Sequence, residues 1–194
     1  MPPGTRRRRA GEPVTGGPGE GAWLVVVDMQ AVFADPGSGW AVPRFAAAAA
    51  GVDRLRPAFA GRTLHTRFVA PAEPAGAWRD YYEQWPWARQ PAGSPLWELV
   101  GDPGGPVLDR PTFGKWGPEL DAATGGRRDL VLAGVATDCC VLSTALAAAD
   151  AGVRVRVVAD ACAGGTDADH ERALLAMALY TPLITVTTVA GVLS

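Results

Sequence analysis

The chain has 194 residues and a mass of 20.2 kDa, which fits one ordinary domain with enough chain to bury a sizeable core. Hydrophobic residues make up 48% and charged residues 20%, a globular balance that excludes wholesale disorder and fibrous repeats. The net charge of −2 offers no general attraction for nucleic acid, and no apolar run approaches the roughly 18 residues of a membrane helix.

Residues 1–20 hold Arg6 to Arg9, several Pro and Gly, and no apolar period, so a disordered tail is expected there. The apolar run Ala22 to Val27 is too short for a signal-peptide core. Three cysteines without an export signal then point to a reducing cytoplasm rather than a disulfide framework. Trp23–Val27 is continuously apolar, as in a strand buried on both faces. Pro43 to Ala60 is Ala-rich and reads as a helix, and Arg62–Thr66 as a second strand. Pro71 to Gly105 has no clean period beyond a possible short helix at Trp97–Val100; it is dense in Pro, Gly and aromatics. Gly105–Asp109 approaches a third strand.

The last third is clearer. Leu130–Ala133 is a strand, Gly134–Asp138 a turn, and Cys139–Ala151 a helix closed by Gly152. Arg154–Val158, a helix over Asp167–Tyr180 capped by Thr166 or Asp167, and Ile184–Thr187 complete the alternation. This pattern predicts one doubly wound α/β domain over residues 21–194, with about six mostly parallel strands flanked by helices. Ligands bind such sheets at the carboxyl ends of the strands.

Two of those ends carry reactive groups. Asp28 directly follows the first strand, where it serves either as a cap or as a general base. Cys139 and Cys140 fall in the first turn of the helix after Leu130–Ala133. There the helix dipole and free N–H groups are expected to lower a thiol pKa and to hold an oxyanion. Helix phase does not separate Cys139 from Cys140, and Cys162 reads as structural. The chain has two histidines, His65 and His170, and neither has an obvious route to the thiols, so a carboxylate base at Asp28 is the better partner.

Val27-Asp28-Met29-Gln30 with Phe33, Gly134-Val135-Ala136-Thr137-Asp138-Cys139-Cys140-Val141 with Thr144-Ala145, and Asp160-Ala161-Cys162-Ala163 together resemble the isochorismatase-like cysteine hydrolases. That superfamily includes nicotinamidases, N-carbamoylsarcosine amidohydrolase, ureidoacrylate and biuret hydrolases, and the true isochorismatases. The resemblance covers roughly residues 22–190. It implies that Cys140, the cysteine before Val, is the nucleophile and Asp28 the base of an amidohydrolase working through a thioester. It also implies a cis peptide between Val135 and Ala136, which aims the N–H groups of Ala136 and Cys140 at an oxyanion. True isochorismatases lack the cysteine, so its presence points to cleavage of a C–N bond in a small amide, carbamoyl or ureido compound.

Nicotinamidases carry a metal on an Asp and two or three His after the second strand. Here that stretch reads His65-Thr66-Arg67-Phe68-Val69-Ala70-Pro71, so no metal and no cofactor is expected. The alternatives are a metal-dependent nicotinamidase and a non-catalytic thiol redox or binding protein using Cys139 and Cys140. Substrate contacts are expected from Phe33, Arg67, Trp78, Arg110 and Phe113, the arginines as partners of a substrate carboxylate. The Trp-rich stretch between Trp78 and Trp116 suggests a homo-oligomer, a dimer or tetramer as in the family. Neither nucleic acid nor a membrane is an expected partner.

The third catalytic group is a Lys in this family, closing the strand before the Cys strand, with Gly or Ser four residues on and an aromatic six on. That register selects Arg110, with Gly114 and Trp116 behind it. Yet 17 of the 18 basic residues are Arg, and the single Lys is Lys115. Retention of one ammonium against that bias selects Lys115 as the catalytic cation, with Arg110 as its neighbour or a substrate contact.

Overall fold

Six strands lie side by side in one parallel sheet: β1 (Trp23–Val27), β2 (Thr63–Phe68), β3 (Val107–Arg110), β4 (Asp129–Val135), β5 (Arg154–Ala163) and β6 (Ile184–Thr187). Their order is β3-β2-β1-β4-β5-β6. The computed structural model describes residues 21–194, and the tail expected at residues 1–20 lies outside them. From β1 the chain builds outward through β2 and β3, then returns to the centre and builds the other way from β4. The crevice beyond the carboxyl ends of β1 and β4 is therefore a topological switch point, where doubly wound sheets bind their ligands.

Both faces of the sheet are covered, which is why its central strands are apolar throughout. Leu24 and Val26 face one core with α1 (Ala31–Ala34), α2 (Phe45–Leu55) and α7 (Val189–Leu193). Val25 and Val27 face the other with α4 (Pro118–Ala123), α5 (Leu142–Asp150) and α6 (Asp167–Ala178). Each such fully buried Val or Leu contributes about 1.5–3 kcal/mol. On α2 the buried positions Phe45, Ala48, Val52 and Leu55 follow helical spacing, and Gly51 lets the helix backbone approach Ala161. Among the described residues, no helix is long and apolar enough to cross a membrane.

The observed elements differ from expectation where polar residues interrupt an apolar run. β5 continues through Asp160 to Ala163, because the Asp160 carboxylate is spent accepting from the Val189 N–H at the start of α7. β2 extends to Phe68 rather than Thr66, since Arg67 on its rim is paired with Asp109 on β3. The turn and helix start expected around Cys139 form a π-helical turn, Thr137–Val141, continuous with α5. The aromatic stretch holds a helix, α3 (Trp78–Gln84), and two short 3₁₀ turns, Pro86–Ala88 and Pro95–Trp97, in place of a helix at Trp97–Val100. Thr166 caps α6 by accepting from the Asp169 N–H.

Gly134, opposite Val27, sits at φ +115°, and a Cβ there would meet the Val27 carbonyl oxygen at 2.1 Å. The three nearest atoms are all Val27 backbone, so nothing flexible can yield. Gly134→Ala is expected to destabilise the fold by about 4 kcal/mol or more, read by urea unfolding. A variant as stable as the parent would show that β1 and β4 can part without cost.

Candidate active site

β1 delivers Asp28 to the switch point. Asp28 takes φ 50°, a left-handed backbone that Asp tolerates better than most residues and that turns its carboxylate inward. The side chain is fully buried. Its Oδ1 accepts from the Thr66 hydroxyl at 2.7 Å, across the β1–β2 pair. Its Oδ2 lies 2.7 Å from the Lys115 Nζ.

Lys115 reaches this point from the loop between β3 and α4. It too is fully buried. Its Nζ donates to the Thr112 carbonyl at 2.8 Å and lies 5.2 Å from the centre of the Phe68 ring. Its backbone N–H donates to Thr144 Oγ1 at 2.9 Å, and the Thr144 hydroxyl donates to the Cys140 carbonyl at 2.6 Å. Gly114 runs close to the Ser143 backbone, bringing the loop down onto α5. Arg110, the register choice, closes β3 but turns away: it pairs with Glu119 at 2.8 Å and lies over Gly117. Strand-end register places a side chain only if the strand continues in phase. Here the chain leaves β3 and folds back, so the residue five positions on occupies the cleft.

Cys140 completes the group from the π-helical turn. Its thiol is buried and faces Asp28 and Lys115. Burial, first, pushes it well above the usual thiol range; the Asp28 charge adds to this, and Lys115 pulls it back. The lowering expected from a helix N-terminus is therefore overturned, since desolvation and a facing carboxylate outweigh backbone dipoles. A protonated thiol facing the Asp28 carboxylate is a proton donor set against its acceptor. The Val135–Ala136 peptide is cis, and the Ala136 carbonyl accepts from the N–H groups of Cys139 and Val141 on either side of Cys140. Cys162 is buried near the Leu132 carbonyl, as a structural thiol.

Cys140 and Ala136 open onto a cavity of about 430 Å³. Phe33 and Phe113, two expected contacts, line it together with Trp40, Phe68, Tyr81 and Trp85. Trp78 stands one layer behind, packed on Phe68 and Phe113. The arginines do not reach it: Arg67 is held by both oxygens of Asp109 at 2.7 Å, and Arg110 by Glu119. The Gln30 side chain ties this wall to β1, donating to the carbonyls of Phe68 and Trp97 and accepting from the Phe68 N–H at 2.7 Å. A larger cleft of about 630 Å³ opens at the amino-terminal end of β2 and β3, around Arg56 and Gly105, away from all of these groups.

The donor set does not fit a metal. His170, on α6, is bonded to Thr137, and His65 lies within β2, pushed down to about 4 chiefly by burial. Phe68, in the stretch where the resemblance puts ligands, is packed among aromatic rings. Among the described residues no three His, Cys, Asp or Glu side chains gather into a candidate metal site. Sequence reasoning passed over Thr66, Thr112, Thr144 and Trp40. Thr66 and Thr144 stand inside the quoted motifs, but a hydroxyl gives no sign of its partner.

The family model for the isochorismatase domain matches residues 22–190. The chain is similar to a cysteine hydrolase from Pseudomonas syringae pv. phaseolicola at 20% identity and TM-score 0.81, covering 94% of this chain and 96% of that one. It is similar to the pyrazinamidase of Pyrococcus horikoshii in complex with zinc at 26% identity and TM-score 0.67, and to a nicotinamidase from Bacillus subtilis at 19% and 0.69. Each of those comparisons covers 86% of this chain and 98% of the other. No curated protein sequence matches.

Two outcomes follow from these environments. Lys115→Met leaves the buried Asp28 carboxylate unpaired and is expected to cost about 3–5 kcal/mol in urea unfolding, with part regained in Lys115→Met/Asp28→Asn. Burial pushes Cys139 up to about 11 and Cys162 to about 12. The folded chain keeps these protons where unfolded thiols, with pKa about 8.5, have lost them, so stability falls as pH rises above that value. Cys162→Ala should flatten that fall in an alkaline unfolding series.

Proposed function

Starting from its membership of the isochorismatase family of hydrolases, we propose that this chain is a cysteine-dependent amidohydrolase cleaving a C–N bond of a small amide, carbamoyl or ureido compound. One observation carries the reading: a buried thiol, carboxylate and ammonium meet at the switch point.

Asp28 Oδ2 takes the Cys140 proton as the sulfur attacks the substrate carbonyl carbon. Lys115 holds the carboxylate in place and offsets the negative charge that builds in the cleft. The backbone N–H groups of Ala136 and Cys140 receive the oxyanion. Collapse of the tetrahedral species breaks the C–N bond while Asp28 returns its proton to the leaving nitrogen, and a thioester remains on Cys140. Water then adds to the thioester and gives one proton to Asp28. The acid departs, and that proton restores the thiol. The cysteine supports C–N cleavage over the vinyl-ether chemistry of true isochorismatases.

A homo-oligomer and a cytoplasmic location belong to the same proposal. Of the tryptophans expected to form a subunit face, Trp85 lines the cavity, Trp97 is buried, and Trp78, Trp87 and Trp116 are half-buried. Support for assembly comes instead from exposed Leu175, Leu179, Tyr180 and Leu183 on α6 and beside β6. Three free thiols support a reducing compartment.

A screen of small amides and ureido compounds for ammonia release tests the reading, together with the mass of a trapped acyl adduct on Cys140. Cys140→Ala and Asp28→Asn should each remove nearly all turnover, and Lys115→Ala about 10²–10⁴-fold of it. Lys115→Arg should rescue little, because a planar fork does not fit the ammonium's place. Cys139→Ala and Arg110→Ala should stay active. Full turnover in Cys140→Ala would sink the mechanism.

A further inference from the structure

The cavity above Cys140 has a distinctive charge pattern. Its rings are continuous: Trp40 lies 6.2 Å from Phe33, 5.6 Å from Phe68, 6.1 Å from Tyr81 and 6.3 Å from Trp85, and Phe113 closes the circle 5.7 Å from Tyr81. Burial pushes the Tyr81 hydroxyl far above neutral pH, so that ring stays an uncharged phenol. Among the described residues, the charged side chains lining the cavity are two carboxylates, Asp138 and Asp169, with no Arg or Lys.

The two carboxylates differ. Asp169 is engaged by Arg172 and by the Thr166 hydroxyl. Asp138 accepts the Gly165 N–H at 3.0 Å on one oxygen, and its other oxygen has only the weak Cys139 thiol at 3.7 Å. No ion pair to Asp138 forms among the described residues. The nearby His170 adds no positive charge at neutral pH, since burial lowers its pKa. Lys115 is the cation beneath the cavity floor, and Asp28 and Thr112 already occupy it.

Aromatic faces attract cations through their quadrupole, and a carboxylate beside them adds to the attraction, whereas an anion there meets repulsion and finds no cationic side chain in the lining. A substrate carboxylate, for which arginines would be the natural partners, has none within this cavity. We infer that the site takes amides carrying a positively charged group, an alkylated or primary ammonium, seated among the rings with Asp138 beside it. The inference rests on the amidohydrolase reading for what happens to the amide, and on the cavity alone for which amide enters.

Three amides of one shape separate the possibilities: 4-(trimethylammonio)butanamide, its uncharged isostere 5,5-dimethylhexanamide, and glutaramate. Binding is measured by calorimetry on the full chain with Cys140→Ala, which needs no turnover. The cation is expected to bind at least about tenfold more tightly than the isostere, and glutaramate more weakly still. Asp138→Asn, which keeps the acceptor for Gly165, should cut the cation's affinity about tenfold and leave the isostere unchanged; Trp40→Leu should weaken the cation too. Equal binding of cation and isostere, preferred binding of glutaramate, or no binding of the cation would overturn the inference. Ammonia release by the parent protein is read separately. Selective binding without release sinks the amidohydrolase reading and spares this one, and release without charge preference does the reverse.

Discussion

A fully buried ion pair, Asp28 with Lys115, is the constraint around which the rest of the structure is arranged. Two charges taken out of water cost several kcal/mol each unless they meet closely and their remaining valences are filled. The fold brings the two charges to 2.7 Å and adds backbone and hydroxyl partners around them. Thr66 on β2 satisfies one oxygen, the Thr112 carbonyl takes an ammonium proton, and Thr144 ties the Lys115 backbone to the segment carrying Cys140. Each of these partners comes from a different element. The pair can therefore exist only once β1, β2, the β3–α4 loop and α5 have all assembled.

Much of this was legible in the sequence. The alternation of apolar runs and helical segments announced a doubly wound sheet, since strands buried on both faces must be apolar throughout. Asp28 and Cys140 stood at two of the strand ends where such sheets do chemistry. Lys115 was found through composition, as the single ammonium in an arginine-rich chain, whereas strand register favoured Arg110. What stayed hidden was set by long-range contacts. The pairing of Arg67 with Asp109 and of Arg110 with Glu119 depends on which strand lies beside which, and on where a loop folds back. The thiol environment was misread because a helix start gives a dipole, while the dominating effect, burial against a carboxylate, is visible only in three dimensions.

The aromatic stretch was the least readable part. Trp78, Tyr81, Tyr82 and Trp85 do follow helical spacing over α3, but the Pro- and Gly-rich residues on either side mask it, and the rings pack on one another, Trp40 and Phe68. Beyond α3, rings packed edge to face around a cavity add no further repeat. Their role is to build a wall, and a wall is specified by volume and shape.

The Gln30 side chain is the stitch between this wall and β1, through its three bonds to Phe68 and Trp97. The reacting groups are held from β1 itself, β2, the β3–α4 loop and the turn before α5. Recognition and chemistry thus meet at β1, at Phe68 of β2 and at the β3–α4 loop, while the wall over residues 78–97 is supported apart from the reacting groups. Substitutions spread over residues 78–97 can remodel what the enclosure accepts while the proton-transfer geometry stays fixed. A lineage built on this plan is free to exchange one small molecule for another without first reinventing its nucleophile.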